Sequence, residues 1–311
     1  MKILVVNIDS TIKNLALQKI VMYHKGKGHR VRQINDDLPY SLLKESYDKV
    51  YVSCIFSWNK ERCKKWEDIA DIGGSGYSLT KELPPEIDAM KPKINMGFAT
   101  RGCIRQCYFC IVPKKEGKIR KAEDVYDIWD GKAKDIIFLD NNILALPAVF
   151  FKICKQLKKE GLGVDFNQGL DHRLLTDKIC KQLFSLRYGG HSGGKIRFAF
   201  DDVSYERTVL KALNMLKNHG MKDWNTRWYV YVGVKDTIDT VLQRVNIIRD
   251  WKQAAFVMRD RDPIVRNNKD FDKIYSWSTN IWAYASTTFP EFNQDYAKNT
   301  LKSRQDYFLP D

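Results

Sequence analysis

The 311-residue sequence has no apolar run near the ~20 residues needed to span a bilayer. It opens without a secretory pattern: Met1-Lys2 leads into Ile3-Leu4-Val5-Val6, too short for an h-region, and the polar Asn7 and Asp9 follow. These two absences predict a cytoplasmic protein with no membrane partner. A disulfide framework is missing as well. Seven cysteines are an odd number and three of them crowd one loop, so reduced thiols and metal are expected. Acidic residues fall short of basic ones, 38 against 52, giving a formal net charge of +14. That excess invites a nucleic-acid partner. Much of it is spread along helix faces such as Lys155, Lys158 and Lys159, where solvated surface is the plainer reading. The dense basic run is Lys114, Lys115, Lys118, Arg120 and Lys121.

What is present centres on Thr100-Arg101-Gly102-Cys103-Ile104-Arg105-Gln106-Cys107-Tyr108-Phe109-Cys110. The spacing is C-x3-C-x2-C, and short spacers let one loop present several thiolates to a soft metal centre. A closed structural zinc site asks for a fourth ligand, and no Cys or His follows within reach of a short loop. Three thiolates without a fourth suit a four-iron cluster with one iron left open. The competing readings are a zinc loop and three ordinary buried thiols.

Along the chain, Lys2–Asn7, His29–Ile34 and Lys49–Phe56 read as strands. Asn14–Lys25 reads as a helix ending at Gly26 and Gly28, and Lys60–Asp68 as a short charged helix. The pattern is parallel α/β. Gly73-Gly74-Ser75-Gly76 permits close backbone approach to a ligand or a tight turn. Residues 1–82 form one predicted domain. The proline-marked stretch 83–93 reads as a linker. From 94 to 262 strands and helices alternate. Strands are predicted at Ile94–Thr100, Ile136–Asp140, Val164–Asn167, Ile196–Phe200, Trp228–Val232 and Ala254–Met258; helices are predicted at Ala122–Asp130, Leu146–Lys159, Leu174–Leu186, Tyr205–His219 and Thr237–Trp251. Six βα units fit an open barrel of parallel strands. Residues 263–311 form an aromatic-rich extension with Trp277, Trp282, Tyr284, Phe289 and Phe292, read as packing rather than base stacking.

The cysteine segment resembles the cluster-binding loop of radical S-adenosylmethionine (radical SAM) enzymes, with the same spacing and an aromatic, Phe109, just before the third cysteine. Ile111-Val112-Pro113 and Glu116-Gly117-Lys118-Ile119-Arg120 are similar to the branch that includes methylthiotransferases and cobalamin-dependent radical SAM proteins. The resemblance covers about residues 94–260. It implies a partial (βα)6 barrel, a [4Fe-4S] cluster on Cys103, Cys107 and Cys110, and S-adenosylmethionine (SAM) on the open iron. It also implies reductive cleavage of SAM to a 5′-deoxyadenosyl radical, and a reductant protein such as a flavodoxin or ferredoxin. The first domain resembles a Rossmann- or flavodoxin-like cobalamin-binding domain in Lys2-Ile3-Leu4-Val5-Val6-Asn7 and Gly28-His29-Arg30-Val31. It departs from that pattern where D-x-H-x-x-G would supply a lower ligand: Thr11 and Asn14 stand in place of His and Gly. Cobalamin, and with it a methyl transfer, therefore rests on likeness of fold.

Parallel βα folds collect ligand-binding residues beyond the carboxyl ends of their strands. Those ends carry Asp140-Asn141-Asn142, Asn167-Gln168-Gly169 with Asp171 and Arg173, Asp201-Asp202, Gly233 with Asp236, and Arg259. Under the resemblance, Asp140 and Asn141 accept from the SAM amino group, and Gln168 and Asp201 contact ribose and carboxylate. Arg173 pairs with the SAM carboxylate or with Asp171, Phe109 lines the adenine pocket, and Gly233 belongs to the cofactor-binding set. Asp201, Asp202 and Asp236 all precede helices, so capping is the simpler alternative for each. Cys54, Cys63, Cys154 and Cys180 read as ordinary thiols, and the first two lack the third partner that a second cluster needs. His172 and His191 lie in loops without a visible triad partner. The substrate is open. A nucleic-acid-modifying enzyme, and a non-catalytic iron–sulfur or zinc protein, are the alternatives.

Overall fold

Strand β1 (Lys2–Asn7) is central in the computed structural model, which describes residues 1–36, 46–189 and 193–292. The chain divides into two units, Met1–Ala133 and Lys134–Asp311. In the first, β1 is followed by helix α1 (Leu15–Gly26), β2 (Arg30–Asn35), β3 (Lys49–Ser53) and β4 (Asp71–Gly73). The sheet runs β2-β1-β3-β4 and is parallel throughout. Helices and loops cover both faces, so the continuous apolar run of β1 is buried on alternate sides. Leu4 and Val6 pack with Cys63 and Trp66; Ile3 and Val5 pack with Leu17, Ile20 and Tyr51. Asn14 caps α1 by accepting from Leu17 N–H at 3.3 Å. The charged helix expected at Lys60–Asp68 is a 3-10 helix over Ser57–Trp66. The glycine loop serves close backbone packing: a Cβ on Gly74 would meet Cys54 O at 2.2 Å, and one on Gly76 would meet Phe56 C at 2.4 Å.

The strand expected at Ile94–Thr100 does not form as one piece. Asn95 adopts φ +63° and donates its N–H to Ile128 O, which breaks the extended run. Further on, β5 (Thr100–Arg101) pairs antiparallel with β6 (Arg120–Lys121). The helix expected over Ala122–Asp130 shrinks to Val125–Ile128, started by a capping box between Asp124 and Asp127.

The second unit alternates strand and helix: β7 (Asp135–Phe138), α2 (Pro147–Lys159), β8 (Gly163–Phe166), α3 (Asp177–Leu183), β9 (Ile196–Ala199), α4 (Glu206–Asn218), β10 (Thr226–Val232), α5 (Ile238–Asp250) and β11 (Ala254–Arg259). Here β8 pairs parallel with β7 on one side and with the short strand Arg187–Tyr188 on the other, and β9, β10 and β11 form a separate parallel sheet. An isolated parallel bridge, Leu170 to Phe198, links the segment after β8 to β9. Neighbouring strands thus follow chain order, and the class is α/β with parallel sheets. Helices α6 (Lys269–Thr279) and α7 (Ile281–Ser286) complete the described part. Their aromatics belong to the core: Trp277 and Tyr284 are fully buried, stand edge to face at 5.1 Å, and Tyr284 OH donates to Val245 O at 2.5 Å. Trp282 is exposed. His191 and residues 293–311 lie outside the described residues. Among the described residues no helix is long and apolar enough to cross a membrane.

Candidate functional site

The cysteine loop begins at a turn that only glycine permits. Gly102 has φ +82°, and a Cβ there would meet Lys118 O at 2.4 Å. The chain after the loop folds back onto it. Cys103 N–H donates to Gly117 O at 3.2 Å, and the Arg101 guanidinium grips the Glu116 carboxylate through Nε at 2.7 Å and Nη2 at 2.5 Å. This bidentate pair fixes both ends of the loop. Cys103, Cys107 and Cys110 are all half-buried. Arg105 N–H points to Cys103 Sγ at 3.3 Å and Val112 N–H to Cys110 Sγ at 3.5 Å, while Cys110 N–H bonds Cys107 O at 3.0 Å. Backbone donors aimed at sulfur tune a metal bound there. Phe109 packs edge to face with the exposed Tyr108 at 5.3 Å.

The other four cysteines are buried. Burial, helped by the Asp9 carboxylate, pushes the Cys54 thiol up to about 12. Burial pushes Cys154 up to about 12 and Cys180 up to about 11, and it raises Cys63. Such thiols stay protonated and unreactive. Among the described residues no group of three or more His, Cys, Asp or Glu side chains stands close enough to hold a single metal ion. A four-iron cluster makes a different demand, because each thiolate takes a separate iron. The three-thiol donor set, its half-burial and its N–H donors fit such a cluster.

In the second unit the strand ends carry a connected polar network. Asp140 and Asn142 are buried, and Asn142 Nδ2 donates to Asp171 Oδ2 at 3.2 Å. Arg173, left between two partners by the sequence, pairs with Asp171 at 2.7 Å and lies over the Tyr205 ring at 4.5 Å. Asn141 is half-buried beside Asp140. Gln168 is exposed and donates to the Asn167 side chain at 3.3 Å. Asp201 accepts from Tyr231 N–H at 3.1 Å. Burial pushes its carboxyl up to about 6, against the opposing pull of that N–H, Arg244 and Arg173. Asp202 is the cap of the pair, accepting from Ser204 N–H at 2.8 Å. Gly233 N–H donates to Asp236 Oδ2 at 2.8 Å. His172 is buried and committed to Ala199 O and Thr208 Oγ1, so it holds structure. Arg259 pairs with Asp272 at 3.0 Å.

The sequence reading missed Arg244. It is fully buried on α5 and donates Nη1 to Asp201 O and Tyr231 O, each at 2.8 Å, and Nη2 to the Asp236 carboxylate. It also missed the buried Asp165–Arg197 pair. The signal for Arg244 was present: it occupies the same helix face as Val241, Val245 and Ile248, an apolar register where a lone charge needs partners.

The carboxyl ends of β1 and β3 are where a doubly wound sheet would hold a ligand. Here the groups are spent on each other. Asp9 accepts from Ile55 N–H at 2.8 Å, Phe56 N–H at 2.9 Å and Asn59 at 3.1 Å, and Asn14 donates to Ser53 Oγ at 2.8 Å. The unit's histidines, His24 in the last turn of α1 and His29 just after it, lie at the opposite end of the strands and bond each other at 2.9 Å. These residues do not fit a cobalamin held through a protein histidine.

No family model matches the chain, and no curated protein matches it significantly.

Proposed function

We propose that the chain is a radical SAM enzyme, with Cys103, Cys107 and Cys110 holding a [4Fe-4S] cluster. The observation that carries this reading is the cysteine loop: three half-buried thiols within eight residues, two of them facing backbone N–H donors, on a turn fixed by Gly102 and the Arg101–Glu116 pair. When bound, the cluster supplies one electron for reductive cleavage of the SAM sulfonium, and the carbon radical chemistry belongs to the cofactor. The parallel pairing of β7 with β8 and of β9 with β10 and β11, with the Leu170–Phe198 bridge between the two sheets, supports the partial-barrel reading.

The chain's own residues supply position and charge. Asp140 and Asn141 offer acceptors for the SAM amino group, and Asp201 an acceptor whose charge is set by its burial. Gln168, exposed at the end of β8, offers its amide to a ribose hydroxyl. Arg173 keeps a cation at the same strand ends while paired with Asp171, and Gly233 is buried in the turn after β10 with its N–H given to Asp236. Phe109 supplies an apolar ring for adenine. Anaerobic reconstitution with iron and sulfide is expected to load about four irons per chain. Added SAM and dithionite should then yield 5′-deoxyadenosine. A wild-type protein that takes up iron and makes none would instead be a non-catalytic iron–sulfur protein. A protein that takes up a single zinc ion and no cluster would overturn the reading altogether.

A further inference from the structure

The two faces of the sheet β9, β10 and β11 are unlike. Side chains alternate along a strand, and residues paired in register share a face. One face holds Phe198, Trp228, Val230 and Val257, none more than 1% exposed. The other holds Arg197 and Arg227, which stand in register, and Tyr229 with its register partner Phe256. Parallel sheets covered on both faces are built from apolar residues, so charge on this face is more than the fold needs. Arg197 is 5% exposed and gives Nη1 to the carboxylate of Asp165 on β8, itself 1% exposed. The Nε of Arg197 has no hydrogen-bond partner among the described residues. Arg227 and Lys195 are half-buried and make no hydrogen bond or ion pair among the described residues. Burial and the neighbouring Arg197 hold Arg227 below its ordinary pKa, and burial and Arg227 do the same to Lys195. A structural ion pair asks for one cation beside Asp165, and here three stand together.

We propose that this face binds the substrate through a phosphate monoester, taken up by Arg197, Arg227 and Lys195. That the ligand is the substrate rests on the radical SAM reading above; the anion site rests on these residues alone. Three cations less the Asp165 carboxylate leave two positive charges. A phosphate monoester carries about −1.5 to −2 at pH 7 and matches them. A carboxylate or a phosphodiester is singly charged and would leave one cation buried without a counter-charge. Guanidinium groups fork onto phosphate oxygens, and Arg197 Nε is a donor of that kind still to be matched. The rings of Tyr229 and Phe256 lie alongside, both half-buried and edge to face at 5.9 Å, with the Arg227 guanidinium 6.0 Å over Phe256. An aromatic or apolar body carried on the phosphate meets these rings. The face continues to the strand ends: Arg197 Nη1 and Tyr229 OH both donate to Asn167 O, at 3.5 Å and 3.2 Å, next to Gln168.

The test is calorimetric titration of the full-length, reconstituted protein with phenyl phosphate, benzoate and dimethyl phosphate. Phenyl phosphate is expected to bind about tenfold or more tightly than either singly charged probe. Arg227→Gln should weaken it about tenfold or more. Lys155→Gln, the same loss of one charge on the exposed side of α2, should change it less than about twofold. Urea unfolding gives a second readout. Arg227→Gln relieves the repulsion from Arg197 and Lys195, so its midpoint should equal or exceed that of the wild type. Phenyl phosphate should raise the wild-type midpoint, and by less in the variant. An arginine that only holds structure predicts the opposite, a lower midpoint with unchanged affinity, and that result overturns the proposal. So does equal affinity for the three probes, or no binding of phenyl phosphate at about 10 mM. Formation of 5′-deoxyadenosine separates this site from the reading above. A protein that makes it from SAM and dithionite without binding phenyl phosphate loses this site alone. One that binds the probe and makes none keeps the anion site and loses the enzymatic reading.

Discussion

Arg244→Met probes the part of the second unit on which its strand ends depend. The guanidinium has no exposed surface and is held at 2.8 Å by the carbonyls of Asp201 and Tyr231, at the ends of β9 and β10. Its Nε donates to Thr240 O at 3.1 Å and its other amino group to the Asp236 carboxylate. Methionine keeps the stem packed and deletes only these donors. Removing one partner of a buried pair costs about 3–5 kcal/mol, since the remaining charge is left uncompensated. The Asp236 side chain is 12% exposed and still accepts from Gly233 N–H, so water and that bond offset part of the loss. The expected destabilisation is therefore at the low end, about 3 kcal/mol. Arg244→Lys should fall between, because an ammonium keeps the charge but cannot fork to two carbonyls and a carboxylate at once. The assay is urea unfolding of the full chain followed by tryptophan fluorescence, with Asp236→Asn and the double variant completing a cycle. Strong coupling is expected, the double variant losing about 1 kcal/mol or more less than the sum of the two. A loss below about 1 kcal/mol for Arg244→Met would refute the idea that this side chain ties the strand ends together.

Asp201 makes the second unit sensitive to pH. Its folded value, about 6, lies above the ordinary 3.8, so the folded state keeps a proton that the unfolded chain has lost. Stability from this group falls as pH rises from about 4 to about 6, by about 3 kcal/mol in all. Asp201→Asn should remove that slope in urea midpoints taken between pH 4.5 and 7.5, and an unchanged slope would show that the group titrates normally. Asp9→Ala should destabilise the first unit by about 2 kcal/mol, since two backbone N–H donors lose their carboxylate, and chemical denaturation measures it. Gly102→Ala forces a side chain at φ +82° against Lys118 O. Reconstituted Gly102→Ala should hold less iron than wild type, and full iron content would show that the turn does not position the thiols.

Periodicity carried the parallel strands and long helices of the second unit because each alternates a buried run with a turn: the five strands expected there appear within a few residues of expectation, and only the two-residue strand Arg187–Tyr188 was not foreseen among the described residues. It failed at Ile94–Thr100, where an Asn at positive φ interrupts an apolar pattern, a backbone choice that hydropathy does not encode. The polar residues at the strand ends were legible as a set, since parallel topology dictates where they gather. Their partners were not. Arg173 pairs with Asp171, Asp202 is a cap, and Asp201 holds a carboxyl raised by burial; all three depend on which groups the turns bring within hydrogen-bond reach.

The cysteine loop shows the same limit from the other side. Spacing alone pointed to three thiols with a common task. It could not reveal that Lys118 and Glu116, sixteen and fifteen residues after Gly102 and Arg101, close the loop, because that closure rests on a glycine without room for a Cβ and on one bidentate ion pair. The basic run acquires meaning only through this return. On a straight chain five cations after a cysteine motif are a solvated face; folded back beside exposed Ile104, Tyr108 and Ile111 they become the rim of a surface. Residues that read as independent in sequence, a metal motif and a charge run, are thus one object in the fold. Loss of the Arg101–Glu116 pair, which holds the return in place, should loosen both the thiols and the lysine rim.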